Sequence, residues 1–153
     1  MRAALFGPVD RKSEAMGSLT ETAIYAQWFH SSAFVDDIHY ARWPGGEVDI
    51  VACDHATQKP DWVVEVKWSD RPFANPGELS AVVDFVQRNS IEGNQDLSPL
   101  VTTYTQSGAR QVNGQTIRFL PSSLYCYTVG KNLTRLDLVI KPDQTTREPQ
   151  SKA

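Results

Sequence analysis

Cysteine is scarce in this chain, and the two thiols present, Cys53 and Cys126, stand far apart in sequence and form no CxxC element. A CxxC redox or zinc motif is therefore excluded, and both read as buried thiols. Histidine is scarce too: His30, His39 and His55 meet neither cysteine at ligand spacing beyond a loose Cys53-x-His55, so a zinc site is not expected. Long apolar runs are missing. The patch at residues 3–6 is ended by Gly7-Pro8, far short of a signal or membrane segment, so a cytoplasmic protein with no membrane partner is expected. Net positive charge is also lacking, since 15 Lys and Arg against 18 Asp and Glu leave a formal charge of −3. Binding of nucleic acid through a broad basic field is thereby excluded, and any such contact must rest on a local patch or a divalent cation. No repeat or low-complexity tract interrupts the first 140 of the 153 residues, and 41% hydrophobic with 22% charged content suits one compact domain.

Two β-type runs carry acids where a buried strand ordinarily holds only Val or Ile: Glu47-Val48-Asp49-Ile50-Val51-Ala52 and Trp62-Val63-Val64-Glu65-Val66-Lys67-Trp68. Burying charge is costly unless something pairs with it. Strand alternation projects Glu65 and Lys67 from one face about 7 Å apart, with Val64, Val66 and Trp68 on the other. Should the two runs be hairpin neighbours, Asp49 comes beside Glu65. Two carboxylates and an ammonium converging on one face suit a hard divalent cation, with the lysine left to hold a water or a phosphate.

Residues 1–15 read as a polar lead-in, as though a longer protein preceded them, residues 16–140 as the domain, and residues 141–153 as a disordered tail. Ser18-Leu19-Thr20-Glu21 has capping-box spacing, and apolar positions at 19, 23, 26 and 29 predict a helix over about 19–30. A strand at 36–41 should hairpin through Pro44-Gly45-Gly46 into 47–52, with a third strand at 62–68. Leu79, Val82, Val83 and Val86 mark a crossover helix over about 76–88. That crossover makes a fourth strand, at 99–104, parallel to the third. Asn113-Gly114 is a hairpin turn before a strand at 116–120, and Pro121-Ser122-Ser123-Leu124 opens a short helical turn or loop through Tyr127.

The order helix, hairpin, strand, helix, strand, with Glu21, Asp49 and Glu65-x-Lys67 at those places, resembles the PD-(D/E)XK nuclease superfamily. More narrowly, Met16-Gly17-Ser18-Leu19-Thr20-Glu21, Tyr40-Ala41-Arg42 ahead of Glu47-Val48-Asp49-Ile50-Val51, and Val64-Glu65-Val66-Lys67-Trp68-Ser69 resemble the C-terminal nuclease-like domain of a prokaryotic AAA+ ATPase family. The resemblance implies an α/β fold: a restriction-endonuclease-like αβββαβ core, with a mixed central sheet flanked by helices. It implies that Asp49 and Glu65, helped by the Val66 carbonyl, bind Mg²⁺ or Mn²⁺. Lys67 would orient the attacking water or stabilise developing phosphorane charge, and Glu21 would reach the site from its helix. No further acid lies on the strand beyond Asp49, which favours one metal over two. The activity implied is hydrolysis of DNA or RNA, with an AAA+ ATPase module as associate.

Plainer explanations stand beside these. Glu21 could simply complete the capping box; Glu65 and Lys67 could be a solvated pair on an edge strand. Arg42 is expected to pair with Glu47 across the hairpin. Trp43, Trp62 and Trp68 could stack a base or pack as core. A non-catalytic module that binds nucleic acid, or regulates an ATPase, is the alternative to an enzyme, favoured by the acidic charge and the lack of a basic stripe.

Overall fold

A computed structural model of the chain describes residues 9–30, 34, 36–89 and 99–140, the side chains of 134–140 excepted. The expected tail and most of the lead-in lie outside these residues. The elements run α1 (Glu14–Trp28), β1 (Ile38–Trp43), β2 (Gly46–Cys53), β3 (Pro60–Glu65), a short α2 (Arg71–Ala74), a 3₁₀ turn (Pro76–Leu79), α3 (Ser80–Asn89), β4 (Leu100–Thr103), β5 (Gly108–Val112), β6 (Gln115–Pro121) and α4 (Ser122–Ile140). The αβββαβ core is therefore present, and its sheet is mixed with strand order β1-β2-β3-β4-β6-β5. β1, β2 and β3 are antiparallel neighbours; β4 runs parallel to β3 and to β6, and β5 closes the sheet as a hairpin with β6. Asn113 and Gly114 both take positive φ, 49° and 83°, the backbone that a two-residue turn between twisted strands demands.

Helices cover both faces of the sheet. On one side α1 and α4 bury Ile24, Tyr125, Val129 and Leu133 against Ile50, Val64 and Val66; on the other, α3 buries Val82, Val83 and Val86 against Val48, Val63 and Val101. Each such fully buried aliphatic contributes on the order of 1.5–3 kcal/mol. Strand β3 is central, with both faces covered, which removes the edge-strand explanation of its charges. Among the described residues no helix is long and apolar enough to cross a membrane.

Three local expectations are corrected. Helix α1 begins a turn before residue 19, because Glu14, Ala15 and Met16 are good helix formers that extend it back to Ser13, so Ser18 is interior and no capping box forms at Ser18-x-x-Glu21. The Ser18 carbonyl accepts a bond from Thr22 Oγ1 at 2.8 Å, as a mid-helix carbonyl can. The segment after Pro121 is a 19-residue helix rather than a short turn. Its buried Tyr125, Val129 and Leu133 recur every four residues, a stripe hidden in the sequence by Gly130 and the polar residues between them. The two cysteines are half-buried free thiols, not fully buried ones.

Candidate functional site

Asp49 owes its orientation to a β-bulge. The β1–β2 register runs His39↔Val51 and then Ala41↔Val48, so Asp49 and Ile50 together oppose Tyr40. A bulge of this kind breaks the period-two alternation and re-aims a side chain. Val51 and Val48 accordingly share the core under α3, three residues apart, while Ile50 faces α1. Asp49 is turned with Ile50 toward α1, where it lines a hollow of about 400 Å³ with Glu21 and Tyr25.

The β2–β3 ladder ends beside it. Its last rung is Ile50↔Val64, and beyond that the Val66 N–H donates to Asp49 Oδ2 at 2.7 Å instead of to a β2 carbonyl. Strand β3 stops at Glu65, two residues before Lys67, although the sequence predicts it to continue to 68. Side chains then replace strand pairing. Thr102, fully buried on β4, accepts the Lys67 N–H through Oγ1 at 2.8 Å and donates to the Lys67 carbonyl at 3.0 Å. Buried Ser122, at the start of α4, faces the same carbonyl at 3.0 Å and that of Thr103 at 2.9 Å. The backbone of Lys67 is thus clamped from two elements, and its Nζ lies 2.7 Å from Glu65 Oε1.

Glu65 pairs in register with Val101, on the side of the sheet under α3, so the expectation of three groups standing on one flat face is corrected. They meet where the ladder opens. Electrostatics record the meeting: burial, and then the neighbouring Asp49 charge, push the Glu65 carboxyl up to about 7 against the opposing pull of Lys67. Burial likewise raises Asp49, although the Val66 N–H and Lys67 work the other way. Burial draws Lys67 down, but the carboxylates of Glu65, Asp49 and Glu21 outweigh it and hold the ammonium charged. Glu21, on the exposed face of α1, is raised by partial burial and by Asp49, and feels Lys67.

Glu65, only 7% exposed, keeps one oxygen short of a full partner: Oε2 is buried with no hydrogen bond of normal geometry among the described residues, although the Asp49 N–H lies near enough to favour the charged carboxylate. A buried carboxylate oxygen without a full donor is costly, and such an exception calls for an explanation. A hard cation supplies one. Among the described residues no three His, Cys, Asp or Glu side chains come together as a ready-made cage. Asp49 and Glu65 are a pair, which suits Mg²⁺: that ion keeps several waters and uses one or two carboxylates.

Asp49 and Lys67 each couple to the other and to both Glu65 and Glu21. Glu47 was given no role by the sequence, yet its charge reaches both Asp49 and Glu21, and Tyr40 donates to its carboxylate. Arg42 pairs with Glu47 as expected, at 3.9 Å. Trp62 stacks on Trp28 and Trp43 on Phe85, both as packing; Trp68 meets Tyr104 edge-on and donates its indole N–H to the Arg11 carbonyl at 3.0 Å. His55 pairs with Asp37 at 3.0 Å on the surface. Thr102 and Ser122 were missed, since hydroxyls in an apolar strand and after a proline carry no distinctive pattern. No family model matches the chain, and no similar curated protein is found.

Proposed function

We propose that this chain is a metal-dependent phosphodiesterase of PD-(D/E)XK type that hydrolyses nucleic acid. The observation that supports the reading above all others is the buried Glu65 Oε2, short of a full partner beside Asp49, in a central strand where a carboxylate has no packing purpose. Asp49 and Glu65 would hold the cation, with the Val66 carbonyl as a neutral ligand, and Mg²⁺ or Mn²⁺ would supply Lewis acidity toward a phosphoryl oxygen and the attacking water. The chain's own residues do the rest. Lys67, charged and fixed through its clamped backbone, offers N–H donors to the nucleophile or to the oxygen on which charge develops. Asp49 holds its orientation through the Val66 N–H, so its free oxygen is presented to the site without reorganisation. Glu21 stands across the hollow from Asp49 and can orient water from the helix side.

Association with an AAA+ ATPase module belongs to the same proposal and rests on the sequence resemblance alone. Calorimetric titration of Mg²⁺ or Mn²⁺ into the wild type and into Asp49→Asn, followed by a plasmid-nicking assay, tests it. Binding and nicking that both vanish in Asp49→Asn support the enzyme. Nucleic acid bound without metal and without cutting supports the regulatory module instead.

A further inference from the structure

Three of the large hydrophobic side chains left exposed, Phe29 at 54%, Tyr40 at 50% and Tyr104 at 38%, line two hollows, the first shared with Asp49 and Glu21 and the second with Trp68, next in sequence to Lys67. The first hollow, about 400 Å³, is lined by Asp49 together with Tyr25, Phe29 and Tyr40. The second, about 560 Å³, is lined by Trp68 and Tyr104, by Arg11 and Lys12, and by the carboxylates of Glu14 and Asp70. Helix α1 joins them. Gly17 lines the second hollow, Glu21 and Tyr25 line the first, and Phe29 follows; these positions recur every four residues on one helix face and span about 18 Å.

Aromatic rings on both sides of the cluster, with Arg11 and Lys12 at one end and Arg42 and Arg88 beyond Tyr40 at the other, match a polymer whose bases are free to stack. A duplex offers no free base faces and is held through phosphates, for which a formal charge of −3 supplies no broad basic field. The carboxylate of Asp70 in the second hollow does not oppose a phosphate freely, because it already accepts from the Thr105 N–H and hydroxyl and the Gln106 N–H. Tyr25 and Phe29 pack tilted at 5.4 Å between centroids, and Trp68 and Tyr104 edge-on at 4.9 Å, so each platform is already braced.

Resting on the nuclease reading, we propose that the substrate is a single nucleic-acid strand laid along α1, with one base on the Phe29 and Tyr40 side of the acid cluster and another on the Trp68 and Tyr104 side. Arg11 and Lys12 take the phosphate beyond the second base. A loop, flap or free end is thereby preferred to intact duplex.

The test is fluorescence anisotropy of an end-labelled oligo(dT) strand and of a blunt two-stranded duplex with the same label, in Ca²⁺, using the full chain. The single strand should bind more tightly, and Phe29→Ala and Tyr104→Ala should each weaken it by roughly 5- to 150-fold, the range for one lost base stack. Tyr127→Ala, which removes an exposed aromatic on α4 away from both hollows, should change nothing. Thermal melts establish that the variants are folded. Equal affinity for the blunt duplex, or strand affinity indifferent to both substitutions, overturns the track; Mg²⁺-dependent nicking that persists in that case leaves the nuclease reading standing. Strand binding with the expected losses but no cutting in Mg²⁺ supports the track and overturns the nuclease reading.

Discussion

Asp49 Oδ2 accepts the Val66 N–H at 2.7 Å, so a side chain stands where the sheet would otherwise place its next rung. The same carboxylate thereby ends the β2–β3 ladder and faces the gap it creates. Structure and chemistry are joined in one group, and they can be separated by substitution.

Asp49→Asn keeps an oxygen for Val66 and loses the charge; Asp49→Ala loses both. At pH 5, where Glu65 is protonated, Asp49→Ala should cost about 1–3 kcal/mol in urea unfolding for the orphaned N–H, and Asp49→Asn much less. Both should abolish Mg²⁺ binding by calorimetry. Equal stability of the two variants would show that the Val66 bond has no structural weight.

Stability without metal should fall as pH rises. Glu65 has a folded-state pKa of about 7 against 4.5 for the free group, so between those values the native state binds more protons than the unfolded one. The slope is therefore negative, and the full shift corresponds to roughly 3 kcal/mol between about pH 4.5 and 7. Asp49 and Glu21, also raised, add to it with the same sign. Melting temperatures from pH 4.5 to 8 should drop in EDTA, flatten in Glu65→Gln, and recover at pH 8 when Mg²⁺ is added. A rising curve in EDTA would contradict the assignment.

Lys67→Met should leave cation affinity within a few-fold of wild type at pH 8, where Glu65 is ionised, and reduce the cleavage rate about 10²–10³-fold, the usual loss of one donor to developing charge. Calorimetry and single-turnover cleavage measure the two separately. Loss of metal binding in step with rate would move Lys67 from catalysis to assembly of the site.

Thr102→Val replaces a hydroxyl that bonds both backbone groups of Lys67. Being isosteric, it leaves packing intact and should destabilise by about 1–3 kcal/mol, while lowering kcat through a misplaced ammonium. Thr102→Ser should restore both. A rate unchanged in Thr102→Val would make the threonine purely structural.

Much of the fold was legible before the structure. The periodicity of Leu79, Val82, Val83 and Val86, the turn residues at 44–46 and 113–114, and the β-branched runs around Asp49 and Glu65 fixed element types, because burial acts on each segment independently. Helix ends were less legible. Ser18 offered a cap but lies inside the helix, which upstream helix formers extended back to Ser13, and α4 hid its stripe behind polar neighbours.

By itself, then, the sequence determined that acids lie in a buried strand pair and that a lysine accompanies them, since composition and alternation are local properties. Only the tertiary structure decided how they meet. The bulge opposite Tyr40, the opened rung at Val66 and the clamp from Thr102 and Ser122 each depend on register between segments distant in the chain. Register is chosen by packing both faces of the sheet at once, which no single segment records.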